Sequence, residues 1–159
     1  MRILLSTIIY ILSFLLPQSC VSQTTSILPG AYDTEAYISA LQGKRVGVVA
    51  NQASLINNTH LIDSLISIKI DVRKIYCPEH GFRGQAENGE LISDEIDGKT
   101  GIPVNSIYGK NKKPSNEMLE GIDIMVFDLQ DVGVRFYTYI STLAYVMEAC
   151  AENDIPVIV

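Results

Sequence analysis

The stretch IDIMVFDLQD, Ile122 to Asp131, decides how the fold is read. Residues Ile124 to Phe127 are apolar at every position, and Asp128 ends the run. A strand with one wet face alternates apolar and polar side chains, whereas one that is apolar throughout is covered on both faces, as in a parallel sheet. Towards the N-terminus, DVRKIYC stops at Pro78 as a strand would, and KRVGVVANQAS sets an apolar strand, Val46 to Ala50, between Gly43 and Asn51-Gln52. Between these two, THLIDSLISI spaces Leu61, Leu65 and Ile68 as a helix behind Thr59, a candidate N-cap. A shorter helical pattern surrounds Tyr37 to Leu41. IPVNSIYG reads as a short strand, and PSNEMLEG as a brief helix capped by Ser115 and stopped by Gly121. Beyond Asp131, Phe136, Ile140, Leu143, Met147 and Cys150 recur at helical spacing and predict one apolar face. IPVIV then opens another buried strand. Strands alternating with helices predict a Rossmann-like α/β domain, a parallel sheet with helices on both faces.

The flanks set the organisation around that domain. Residues 1–22 carry Arg2 ahead of an apolar run from Ile3 to Leu16 interrupted only by Ser6, Tyr10 and Ser13, the pattern of a signal peptide. Two endings fit it: lipidation at Cys20 in LPQSC, or ordinary cleavage after Ser22. An exported protein of the periplasm or cell envelope is expected, attached to a membrane only if Cys20 is lipidated. Residues 23–42 form a lead-in and 43–159 the Rossmann-like domain. Val159 falls inside an apolar run, so the domain is expected to be cut short there, with a smaller C-terminal domain lacking.

Composition excludes several functions. The 159 residues are 47% hydrophobic and 19% charged, with a net charge of −6 and no basic cluster, which speaks against a nucleic-acid partner. No G-x-G-x-x-G follows the first strand and no G-x-x-x-x-G-K-[ST] occurs, so a nucleotide site has no support. Outside the leader only Cys77 and Cys150 remain, too few for a disulfide framework, although a single bridge between them stays open. With His60 and His80 the only histidines, a multi-histidine metal centre is not available. A zinc site from Cys77, Glu79 and His80 would crowd three ligands into four residues, and DEIDG lacks the spacing of an EF-hand loop. No cofactor or metal is expected.

Open parallel sheets bind ligands beyond the carboxyl ends of their strands. Those ends deliver Asn51 and Gln52, then Glu79 and His80, then Asp128, Gln130 and Asp131. Pro78 fixes the backbone before Glu79 and Gly81 permits a turn after His80, so Glu79 is a candidate general acid whose pKa an apolar strand end would raise. Its alternative use is an ion pair with Arg83. The loop that follows is acidic (Glu87, Glu90, Asp94, Glu95, Asp97), and one of its carboxylates is a candidate second group, since glycosidases need two about the scissile bond. Arg135, Tyr137 and Tyr139 suit a carboxylate-bearing sugar, the rings stacking on it and the guanidinium forking onto its acid. A structural pair of Arg135 with Asp131 is equally compatible with the sequence.

The motifs ANQAS, PEHGFRG, TGIPVNSIYG, EMLEGIDIMVFDLQDVGVRFYTYISTL and MEACAENDIPVIV together resemble one bacterial family from about Gly43 to Val159. It is the exo-acting β-N-acetylmuramidases (NamZ, also called YbbC), long grouped only as a domain of unknown function. The resemblance implies an exported glycoside hydrolase with a Rossmann-like N-terminal domain, a smaller C-terminal domain and a cleft between them. It implies release of N-acetylmuramic acid from the non-reducing end of peptidoglycan fragments. Carried onto this sequence, it points to Glu79, His80 and Glu90 as catalytic candidates. Asn51 from the strand-end reading, with Arg83, Asp128, Gln130, Asp131, Arg135, Tyr137 and Tyr139, are the candidate sugar-binding residues. A non-catalytic envelope protein that binds muramyl sugars is the alternative.

Overall fold

The structure, a computed structural model, describes residues 27–79, 81–83 and 94–159. The leader, His80, Glu87 and Glu90 lie outside the described residues. A 3-10 turn (Gly30–Tyr32) leads into helix α1 (Thr34–Leu41) and strand β1 (Arg45–Ala50). A small hairpin of β2 (Leu55–Ile56) and β3 (Thr59–His60) feeds α2 (Leu61–Ser67), then β4 (Asp71–Cys77). Strands β5 (Glu95–Ile96) and β6 (Pro103–Ser106) precede α3 (Asn116–Leu119), β7 (Ile124–Asp128), α4 (Tyr139–Glu152) and β8 (Val157–Ile158).

The main sheet runs β5-β6-β4-β1-β7-β8, parallel except for β5, which pairs antiparallel with β6. The chain builds outward from β1 through β4 to β6, then returns to the other side of β1 for β7 and β8. The reversal falls between β1 and β7, where the order of an open α/β sheet opens a crevice at the strands' carboxyl ends. The predicted α/β class is the observed one.

Alternation along β1 supplies both faces. Val46, Val48 and Ala50 join Leu41 of α1 and Leu61, Ile62 and Leu65 of α2 in one core. Val49 joins Tyr76, Met125, Phe127 and α4 residues Val146, Ala149 and Cys150 in the other. Cys77 and Cys150 therefore lie in different cores, and both are free thiols. Gly47 lets β1 pack this closely: a Cβ there would stand 3.0 Å from the Tyr76 ring and 3.1 Å from the Met125 sulfur. Tyr76 has no slack to give, being fully buried with its hydroxyl donating 2.7 Å to the Met118 carbonyl.

Three local expectations are corrected. The N-cap of α2 is His60, whose ring accepts from the Ile62 N–H, because the hairpin strand runs through Thr59 to His60 and the helix begins only at Leu61. Ile68 is half exposed past the helix end, so Ile62 replaces it on the core face. The face of α4 that meets the sheet is Tyr139, Thr142, Val146, Ala149 and Cys150, whereas Phe136, Ile140 and Met147 are exposed. The helix begins only at Tyr139, which is bonded to the end of β1, and that anchor turns the neighbouring face inward.

Overpacking a filled core costs about 1–3 kcal/mol. Gly47→Val is expected to lower unfolding stability by about that amount in a urea titration, whereas the same change at Gly98, where a Cβ meets nothing within 4 Å, is expected to leave it nearly unchanged.

Candidate active site

The crevice is organised by Asn51, the first residue after β1. It is 3% exposed and bonded through each of its polar groups. Its Oδ1 accepts from the Ala53 N–H at 2.9 Å, and its Nδ2 donates to the Tyr139 hydroxyl at 2.8 Å. Its backbone N–H donates to Ser54 Oγ at 3.1 Å, and its carbonyl lies 2.9 Å from His60 Nε2. Because His60 Nδ1 accepts from the Ile62 N–H, Nε2 carries the ring proton and donates it to Asn51. Burial lowers the His60 pKa and keeps the ring neutral, as the cap requires. Ser54 Oγ in turn donates 2.6 Å to the Asp128 carbonyl at the end of β7. One residue, through its side chain and its backbone, thus ties β1, β3, β7 and α4 together at the strand reversal. Asn51 is placed to hold Tyr139 in position, its own side chain being enclosed.

Glu79 follows β4. Its turn is closed by Gly81 N–H to the Pro78 carbonyl at 3.2 Å, with Gly81 at φ +76°, a backbone that suits glycine. The half-buried Glu79 carboxylate accepts from the Tyr108 hydroxyl through Oε1 at 2.9 Å. That contact raises the Tyr108 pKa, since ionising the phenol beside a carboxylate is opposed. Tyr139 is raised as well, mainly by burial and further by Tyr137 and the Glu79 charge. The Tyr137 and Tyr139 rings meet edge to face with centroids 4.8 Å apart. Carboxylate, phenols and an aromatic pair therefore share one edge of the sheet.

Other candidates stand elsewhere. Arg83 forks onto Asp97 at 2.7 and 2.8 Å, reaches Asp63 at 3.6 Å, and lies 4.6 Å over the Phe82 ring. It pairs neither with Glu79 nor openly with the crevice, but locks β5 to the end of the Pro78–Arg83 turn. Asp131 accepts from the Gly133 N–H at 2.6 Å, closing its own turn, and no ion pair joins it to Arg135 among the described residues. Gln130, Asp131 and Arg135 are exposed in the segment before α4. Cys77 is fully buried, and burial pushes its thiol up to about 12, so it behaves as a core side chain.

Tyr108, His60 and Ser54 were not foreseen. The strand-end rule that selects Asn51, Glu79 and Asp128 also selects Tyr108, just beyond β6, had it been applied to that strand. His60 and Ser54 carry no such signal, because their part depends on a hairpin two residues long on each side.

Residues 46–159 match the family described as exo-beta-N-acetylmuramidase NamZ, N-terminal. The peptidoglycan beta-N-acetylmuramidase NamZ of Bacillus subtilis (strain 168) is 50% identical over 127 residues, which are 77% of this chain and 30% of that protein. Two crystal structures of DUF1343 family proteins from Bacteroides fragilis NCTC 9343 are each 40% identical, with TM-scores of 0.69 and 0.70. They align with 80% and 78% of this chain and with 32% and 31% of their own chains. The chain spans about a third of the length of these relatives.

The Asp97 carboxyl is held well below the usual carboxylate range, first by Arg83 and then by the Thr100 hydroxyl, 2.6 Å away. A depressed folded pKa stabilises the fold above the unfolded value, and that contribution fades as pH falls through the folded one. Asp97→Asn, which strands the Arg83 charge, is expected to cost about 2 kcal/mol at pH 7. The gap to the parent protein in urea titrations should narrow steadily as pH drops from 5 towards 2.

Proposed function

The chain belongs to the NamZ N-terminal family of exo-β-N-acetylmuramidases, and on that premise we propose that its protein removes N-acetylmuramic acid from the non-reducing end of peptidoglycan fragments. The observation that carries the reading is Glu79, a carboxylate presented at a strand end, held by Tyr108 and flanked by Tyr139 at the point where ligands meet an open α/β sheet. In this reading Glu79 gives a proton to the glycosidic oxygen as its bond to the anomeric carbon breaks, and water supplies the hydroxyl of the released sugar. The reading calls for a second carboxylate at the anomeric centre, with Glu90 as a candidate from the sequence alone. The rings of Tyr137 and Tyr139 stack on the sugar, and the exposed Arg135 takes the lactyl carboxylate.

The site's contents support turnover of cell-wall material, and the N-terminal leader supports export to the cell envelope, with a lipid anchor if Cys20 is the processed residue. A sugar-binding protein without catalysis would use the same crevice, so the experiment has to separate the two.

General acid catalysis contributes about 10²–10⁴-fold. Glu79→Gln, in the polypeptide as its host expresses it, is expected to cut release from a chromogenic β-N-acetylmuramide at least about 100-fold while muramic acid still binds. The corresponding N-acetylglucosaminide should be a poor substrate throughout. Undiminished turnover in Glu79→Gln passes the acid role to Glu90, and no turnover by the unmodified protein leaves the binding-protein reading.

A further inference from the structure

Asp128 closes β7 directly across from Ala50, one residue before Asn51, at the strand reversal itself. Its Oδ2 is buried and has no hydrogen-bond partner among the described residues, while the residue as a whole is half-buried. A carboxylate with one oxygen enclosed in this way needs a cation or a set of donors, or it favours the protonated form.

Among the described residues the surroundings supply no cation. Three groups approach from three elements: Tyr37 of α1, Ser54 of the turn after β1, and His60 of β3. Tyr37 is a neutral phenol whose hydroxyl is spent on the Ala31 carbonyl at 2.7 Å. The Ser54 hydroxyl donates 2.6 Å to the backbone carbonyl of Asp128 and stands near enough to the carboxyl to ease its ionisation only in part. His60 is neutral because its two nitrogens serve the Ile62 N–H and the Asn51 carbonyl. Arg83, the nearest guanidinium to His60, is committed to Asp97 and Asp63. Among the described residues no salt bridge includes Asp128.

We propose that Asp128 stands in the crevice as a neutral carboxylic acid and donates its proton in a hydrogen bond to an acceptor oxygen of the bound sugar. The donor assignment rests on the muramyl reading given above, whereas the proton itself does not. Burial, only partly opposed by Ser54 and His60, raises the Asp128 pKa in the same sense. The consequence for recognition is specific. An ionised Asp128 would repel an anionic sugar in a chain that already carries a net charge of −6, whereas the acid form offers that sugar a donor. Asp128 and Glu79 then divide the chemistry between a group that stays protonated and a carboxylate held by a phenol.

Two measurements on the same proteins test this. A raised folded pKa gives stability that is present below the unfolded pKa and is lost as pH rises through the folded value. In urea titrations the midpoint of Asp128→Asn should therefore gain on that of the parent protein between pH 4 and pH 8. A gap that is constant, or that moves the other way, means an ionised and paired Asp128 and overturns the proposal. N-acetylmuramic acid binding at pH 7, followed by calorimetry, reads the donor. Asp128→Asn keeps an N–H donor and should hold affinity within about threefold, while Asp128→Ala should lose about tenfold, the size of one lost neutral hydrogen bond. Equal losses in both variants overturn the donor role. If the parent protein binds no muramic acid, the donor role falls together with the muramyl reading, and the urea series still decides whether the proton is there.

Discussion

Everything in the crevice depends on Asn51, through its side-chain amide and its backbone together. A parallel sheet places its strand ends along one edge but does not say how the loops beyond them are held, and buried backbone groups in such loops need partners. Asn51 meets that need by bonding at once to the turn at Ala53, to Ser54, to His60 and to Tyr139. Through Ser54 the network reaches Asp128, and through Tyr139 it fixes where α4 starts. Fully satisfied polar networks of this kind rigidify a site as well as stabilise it. The positions of Asp128 and Tyr139 relative to Glu79 are consequences of that one residue.

A second constraint works from the other side of the site. Arg83, Asp97, Asp63 and Thr100 form a charged cluster that pins β5 and α2 to the turn carrying Glu79. The positive charge of Arg83 in the motif PEHGFRG is thereby used up in architecture. The Glu79 carboxylate is left with the Tyr108 phenol rather than the Arg83 guanidinium as its partner. The fold thus separates the ionic cluster that holds the turn from the polar groups available to a ligand.

Much of the fold was legible because long apolar runs have few readings. IDIMVFDLQD and KRVGVVA become β7 and β1 within a residue or so, and DVRKIYC is β4 to the residue. Helix faces were less legible. The spacing of Phe136, Ile140 and Met147 is a genuine stripe, but the stripe beside it is the buried one, since spacing cannot tell which side a tertiary hydrogen bond will turn inward. Site residues followed the same division. Glu79 and Asp128 could be named from strand ends alone. Roles that rest on contacts far apart in sequence, such as Arg83 with Asp97 or Tyr108 with Glu79, depend on the packing of several elements at once.

The central claim is that a muramyl sugar sits over the carboxyl ends of β1, β4 and β7, against Glu79 and Tyr139. A crystal structure of the protein soaked with N-acetylmuramic acid addresses it directly. The account predicts density for the sugar ring beside the Tyr137–Tyr139 pair, with Glu79 and Asp128 each within hydrogen-bond distance of a sugar oxygen. Sugar bound at any other edge of the sheet, with the ends of β1 and β7 empty, would contradict it.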